Sequence, residues 1–162
     1  MEKRDAKQIH RIFISEVATT LICIYIIYLL SKTLESGLDI RLIIPGIILI
    51  FVLLQGCVYW YLRDRKIKGL PFNTTVFLKT YRILKKITPY VISVYPLFLV
   101  VLLIFNRGML FVPFNFFGLI LLFFAIIEYI NDYYFDVNIG NLRTRTPSDL
   151  ATELHTFEKG RL

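Results

Sequence analysis

Four apolar stretches, at positions 12–31, 42–62, 89–105 and 110–130, alternate along the chain with segments that hold nearly all of its charge. Each fits the roughly 20 residues that an α-helix needs to cross a hydrocarbon core about 30 Å thick. The pattern therefore predicts an all-α membrane protein with four transmembrane helices, joined by alternation into two hairpins. A polar segment 1–11 precedes them, a basic connection 63–88 lies between the pairs, and a polar tail 131–162 follows.

Polar positions within the apolar stretches predict which faces meet other helices. In the first span Ser15, Glu16, Thr19, Thr20 and Cys23 recur at helical spacing. They form one polar stripe, expected to face neighbouring helices because buried polar side chains need partners. The second span opens with Pro45 and Gly46 and closes in Gln55, Gly56, Tyr59, Trp60 and Tyr61, a cluster whose aromatics favour the headgroup level. In the fourth, Asn115, Gly118, Leu122, Ala125, Glu128 or Tyr129, and Asp132 trace one face, where small residues let another helix approach closely.

The basic connection carries its own periodicity. Gly69, Leu70 and Pro71 break the chain, and Asn73 is placed to cap a new helix through its side-chain oxygen. Beyond it, Val76, Phe77, Thr80, Tyr81, Ile83, Leu84 and Ile87 gather on one side and Lys79, Arg82, Lys85 and Lys86 on the other. This predicts an interfacial amphipathic helix between spans two and three, with its aromatic side in the acyl boundary and its basic side toward lipid phosphate. The plainer alternative is a cytosolic extension of the third span packed on its neighbours. Thr88 followed by Pro89 predicts a break, with Thr88 capping and Pro89 opening the third span, and Pro96 predicts a kink within it. In the tail, Thr146, Pro147 and Asp149 read as the capped start of a short cytosolic helix that presents Leu150, Leu154 and Phe157 on one face and ends near Gly160.

Charge then orients the spans. Of the 19 Lys and Arg residues, 16 fall in the N-terminal segment, the central connection and the tail; Lys32, Arg41 and Arg107 are the other 3. Basic residues are held on the cytosolic side, so both termini are expected in the cytosol. A content of 56% hydrophobic and only 19% charged residues, below the quarter or so usual for soluble domains, leaves no room for a second domain. The net charge of +7 sits beside membrane spans, where anionic inner-leaflet lipid is a nearer partner than nucleic acid. The first apolar run is longer than a signal-peptide core and no Ala-x-Ala site follows it, so it is expected to remain as an anchor.

Candidate chemistry is sparse. Cys23 and Cys57 would lie at depths of about 16 and 8 Å, a stagger unsuited to a disulfide, and read as small packing residues. Glu16 and Glu128 are the acidic residues inside the apolar runs, hence functional candidates. Both lie within about 6 Å of their helices' cytosolic ends, where Arg11, Arg63, Arg65, Lys85 or Lys86 is expected to pair with them; proton or cation coupling is the alternative. Glu128, Asp132 and Asp136 form an acidic ladder if the fourth helix continues. His10 and His155 have no second ligand at metal spacing, and no nucleophile, base or phosphate-loop pattern appears. No cofactor, metal site or catalysed reaction is expected.

The tract Glu128-Tyr129-Ile130-Asn131 followed by Tyr133-Tyr134, with Tyr59-Trp60-Tyr61-Leu62-Arg63 before a basic loop, resembles small four-span membrane proteins of low-GC Gram-positive bacteria, a group with no assigned reaction. The resemblance implies the bacterial cytoplasmic membrane as location. Small multidrug exporters, also four-span with a glutamate in the first helix, are the rival comparison; here Glu16 lies near the membrane surface, the central loop is long and a tail is appended. The sequence thus points to a non-enzymatic accessory or interaction protein that contacts anionic lipid and a protein partner or a second copy of itself. The alternative is a proton- or cation-coupled carrier acting as a dimer.

Overall fold

The helices run past the apolar stretches that predict them. In a computed structural model describing residues 6–33, 39–71, 73–105, 108, 113–135 and 147–160, the helices are α1 (Ala6–Thr33), α2 (Ile40–Ile67), α3 (Thr74–Phe105), α4 (Pro113–Tyr133) and α5 (Asp149–Glu158). The first four are long and apolar enough to cross a membrane. Glu35, Arg107, Asp136 and Thr146, with most of the turn at 106–109, lie outside the described residues.

α2 is the central element. Its buried positions include Leu42, Ile48, Leu49, Val52, Leu53, Tyr59 and Trp60, and α1 and α4 both pack along it while α3 touches α2 and α4 less extensively. α1 turns most of its surface outward through Ile14, Leu21, Ile22, Tyr25 and Tyr28, an apolar exterior suited to lipid. The polar stripe expected on one face of α1 therefore divides: Thr20 is buried and Glu16 and Cys23 half-buried, but Ser15 and Thr19 are exposed. The α4 face follows its pattern, with Asn115, Gly118, Leu122, Ala125, Tyr129 and Asp132 all buried. At Gly118 the approach is close enough that a Cβ would stand 2.7 Å from the Tyr95 ring and 2.8 Å from the Arg41 carbonyl oxygen.

The expected break at Thr88–Pro89 is absent, and α3 is continuous from Thr74 through both Pro89 and Pro96. A proline has no N–H for the carbonyl four residues earlier, here that of Lys85. The Tyr129 hydroxyl on α4 donates to that carbonyl at 2.8 Å, which supplies the hydrogen bond that Pro89 cannot. Thr88 is not a cap: its hydroxyl donates to the Leu84 carbonyl at 2.8 Å. Asn73 does cap α3, its Oδ1 accepting from Val76 N at 3.1 Å. The aromatic side of residues 74–88 divides. Phe77 and Tyr81 are buried, with Phe77 stacked 5.9 Å from Tyr59, whereas Val76, Ile83 and Ile87 are exposed. The segment is an extension of α3 packed on its neighbours.

α5 is capped by Ser148, whose hydroxyl oxygen accepts from Ala151 N at 3.1 Å, rather than by Thr146. It lies against the start of α3 and the end of α4, burying Leu150 and Leu154 and half-burying Phe157, and Gly160 follows its C-cap at φ 66°, a left-handed conformation that glycine adopts without strain. Ser148 also donates to the Asp132 carbonyl at 2.5 Å, and Arg63 of α2 reaches Asp149 at 2.5 Å.

Candidate functional site

Gln55 of α2 gathers polar side chains from α3 and α4 at the end of the bundle where α5 docks. Tyr81 donates to its carbonyl at 2.6 Å and Tyr133 to its Oε1 at 2.7 Å. Its amide donates to Thr88 at 3.3 Å. Every partner is buried, so the network ties α2, α3 and α4 in place by bonds that are costly to leave unmade away from water. The pattern of apolar positions marks Gln55 only as part of an interfacial cluster. Its role as a hub depends on residues 26 to 78 positions away, which no local period reveals.

Beside this network lies a cavity of about 260 Å³ bounded by α1, α2, α4 and the start of α5. Glu16, Tyr59, Trp60, Asp132 and Asp149 line it. Two of its carboxylates converge: a Cβ on Gly56 would stand 3.3 Å from Asp132 Oδ2 and 3.6 Å from Glu16 Oε2. Gly56 thus leaves the space into which both groups point. Glu128 stands one turn before Asp132 on α4.

Of the basic residues expected to neutralise these acids, Arg63, Arg65 and Lys85 are engaged elsewhere, and Arg11 and Lys86 are exposed. Arg63 pairs with Asp149, bonds Tyr59 Oη at 3.0 Å and sits 5.2 Å from the Trp60 ring centroid. Arg65 lies over Tyr61, and Lys85 lies 4.6 Å from the Tyr134 ring centroid. Lys68 and His10 both face Asp64. Among the described residues neither Glu16, Glu128 nor Asp132 has an ion-pair partner, and Asp132 Oδ2 is buried without a hydrogen bond. The pairing expected for Glu16 and Glu128 is therefore not formed. The sequence places Asp132 on an inward face but does not show that it would join Glu16, because the two lie on different helices that meet at Gly56 of a third.

The lipid candidates are also sorted. Lys79 and Lys86 are exposed. Arg82 pairs with Glu158 at 3.3 Å, and Lys85 is half-buried on Tyr134. The cysteines are free; Cys57 Sγ lies 3.3 Å from Thr20 Oγ1. Among the described residues no three His, Cys, Asp or Glu side chains are placed to hold a metal ion.

No family model, curated protein or solved structure matches the chain. Its function is therefore read from these residues.

The docking of α5 is itself sensitive to protons. Burial raises the Glu153 carboxyl above its ordinary value of 4.5, against the opposing pull of Arg63 and Lys66 and with a small push from Asp149. The docked state then binds more protons than the undocked one, so docking weakens as pH climbs from about 4.5 through the raised value. Glu153→Gln, which keeps the shape without the charge, is expected to flatten this dependence and slow tail proteolysis at pH 7. Proteolysis followed from pH 5 to 8 checks it, and an unchanged slope in the variant would contradict the assignment.

Proposed function

We propose that the chain is a multi-pass protein of a bacterial cytoplasmic membrane with both termini in the cytosol. It acts without chemistry of its own, as an accessory or interaction protein whose cytosolic end meets anionic lipid and a protein partner. The observation that carries this reading is the basic surface at the α5 end: Lys79 and Lys86 project from the start of α3, with Lys66 also exposed near the end of α2. Basic groups beside an anionic leaflet are attracted to it. In this reading Lys79 and Lys86 make the principal contacts of the original four, because Arg82 and Lys85 are held by Glu158 and Tyr134. Native mass spectrometry of the full chain is expected to show phosphatidylglycerol retained over phosphatidylcholine, with retention reduced in a Lys79→Gln/Lys86→Gln double variant. Equal retention of the two lipids, or no change in the variant, would remove the support.

A second reading, a proton- or cation-coupled carrier acting as a dimer, is favoured by the unneutralised Glu16 and Asp132. It predicts that Glu16→Gln abolishes pH-driven cation flux in proteoliposomes. The accessory reading predicts no such flux in either protein.

A further inference from the structure

We infer that the groove between α2 and the start of α3 seats an acyl chain of an anionic phospholipid, with Lys79 set to meet its headgroup. This rests on the lipid contact proposed above and gives that contact a fixed site. α3 touches α2 less extensively than α1 and α4 do, and the two helices leave an open space of about 270 Å³. Val58 and Leu62 of α2 and Val76 and Phe77 of α3 are its apolar walls. The polar side chains beside them direct their hydrogen bonds into the protein: Tyr81 donates to the Gln55 carbonyl at 2.6 Å, Thr80 to the Val76 carbonyl at 3.0 Å, and Asn73 Oδ1 accepts from Val76 N at 3.1 Å. An occupant is therefore offered apolar contact.

Size and position select a lipid chain. A helix is about 10–12 Å across with its side chains, so two turns of one occupy roughly 1,000 Å³, several times the groove, whereas a single hydrocarbon chain fits along it. One turn deeper, Leu54 on α2 and Ile83 on α3 are exposed, followed by Ile87, so apolar surface joins the groove to the exterior of the membrane-length helices. A chain from the bilayer reaches the groove along that surface. Charge favours an anionic head. None of the described residues lining the groove is acidic, and Lys79 is exposed beside Thr80, one turn from Val76, with Lys86 exposed two turns further along α3. Tyr59, Trp60 and Tyr61, which flank this part of α2, are residue types that favour the headgroup level, where basic groups attract anionic lipid.

Native mass spectrometry of the full chain, released from detergent at increasing phosphatidylglycerol concentration, counts the lipids that stay bound. In wild type a first phosphatidylglycerol is expected to be held more tightly than those that follow. Val76→Trp fills the groove from an exposed position and is expected to abolish this first tight binding. Val94→Trp, exposed on α3 but away from the groove, is expected to keep it. Lys79→Gln is expected to weaken the first lipid by about fivefold, the effect of one basic residue beside an anionic lipid. Should Val76→Trp fail to fold, Thr80→Trp, also exposed in the groove, carries the comparison. A folded groove variant that holds the first phosphatidylglycerol as wild type does, or an even wild-type series with no distinct first lipid, would overturn the inference while leaving the general preference for phosphatidylglycerol intact. Equal retention of phosphatidylcholine by wild type would remove both.

Discussion

Gly118→Ala is expected to lower the thermal unfolding midpoint in detergent more than any other single-methyl addition at a described glycine. The added Cβ would overlap the Tyr95 hydroxyl and stand 2.7 Å from its ring and 2.8 Å from the Arg41 carbonyl oxygen. One of these obstacles is backbone, and Tyr95 is fully buried, so α4 must move away from α2 and α3. Overpacking of this kind costs about 1–3 kcal/mol and sometimes more, and the upper end applies where two rigid groups block the same atom. Gly46→Ala is the control, because its Cβ would meet only the flexible Ile27 side chain, at 3.2 Å. Tyr95→Phe is expected to recover part of the Gly118→Ala loss by removing the hydroxyl. Equal midpoints for the two alanine variants would show that α4 does not approach its neighbours in this way.

The second large effect concerns the latch on α5. Arg63→Ala removes the partner of Asp149, a bond to Tyr59 and the cation beside Trp60 in one step. Stripping one member from a buried pair costs about 3–5 kcal/mol, and an exposed pair contributes about 0–1. With the two side chains 15% and 25% exposed, a loss of about 2 kcal/mol is expected, a rise of up to about thirtyfold in the undocked population. Limited proteolysis should release the tail faster in Arg63→Ala, with Arg65→Ala close to wild type because Arg65 touches only Tyr61 among the aromatic contacts. Equal cleavage of Arg63→Ala and wild type would mean that Leu150 and Leu154 alone hold the helix.

What the sequence discloses is what repeats locally. Four apolar runs of membrane length, the inward face of α4 and the Asn73 cap all depend on residues within a turn or two of one another, and each is found where its pattern places it. The continuity of α3 is different in kind. Pro89 deprives the Lys85 carbonyl of its helical donor, and Tyr129, 44 residues from Lys85, supplies another. The partners of the intramembrane acids are hidden for the same reason. Arg63 is among the bases expected to neutralise Glu16, but Asp149, 86 residues further on, takes it. The meeting of Glu16 with Asp132 is hidden too, because it brings together α1 and α4 beside Gly56 of α2, residues that no local period connects.

The orientation of the α5 end underlies the lipid contact, the docked tail and the lipid groove alike, and cysteine labelling across the membrane tests it most directly. In a background with Cys23 and Cys57 replaced by alanine, one variant carries Lys79→Cys at the α5 end and another Lys32→Cys at the opposite end; both positions are exposed. A membrane-impermeant maleimide added to intact cells is expected to label position 32 and spare position 79, and inverted vesicles should give the reverse. Labelling of position 79 from outside intact cells, with position 32 protected, would contradict the account.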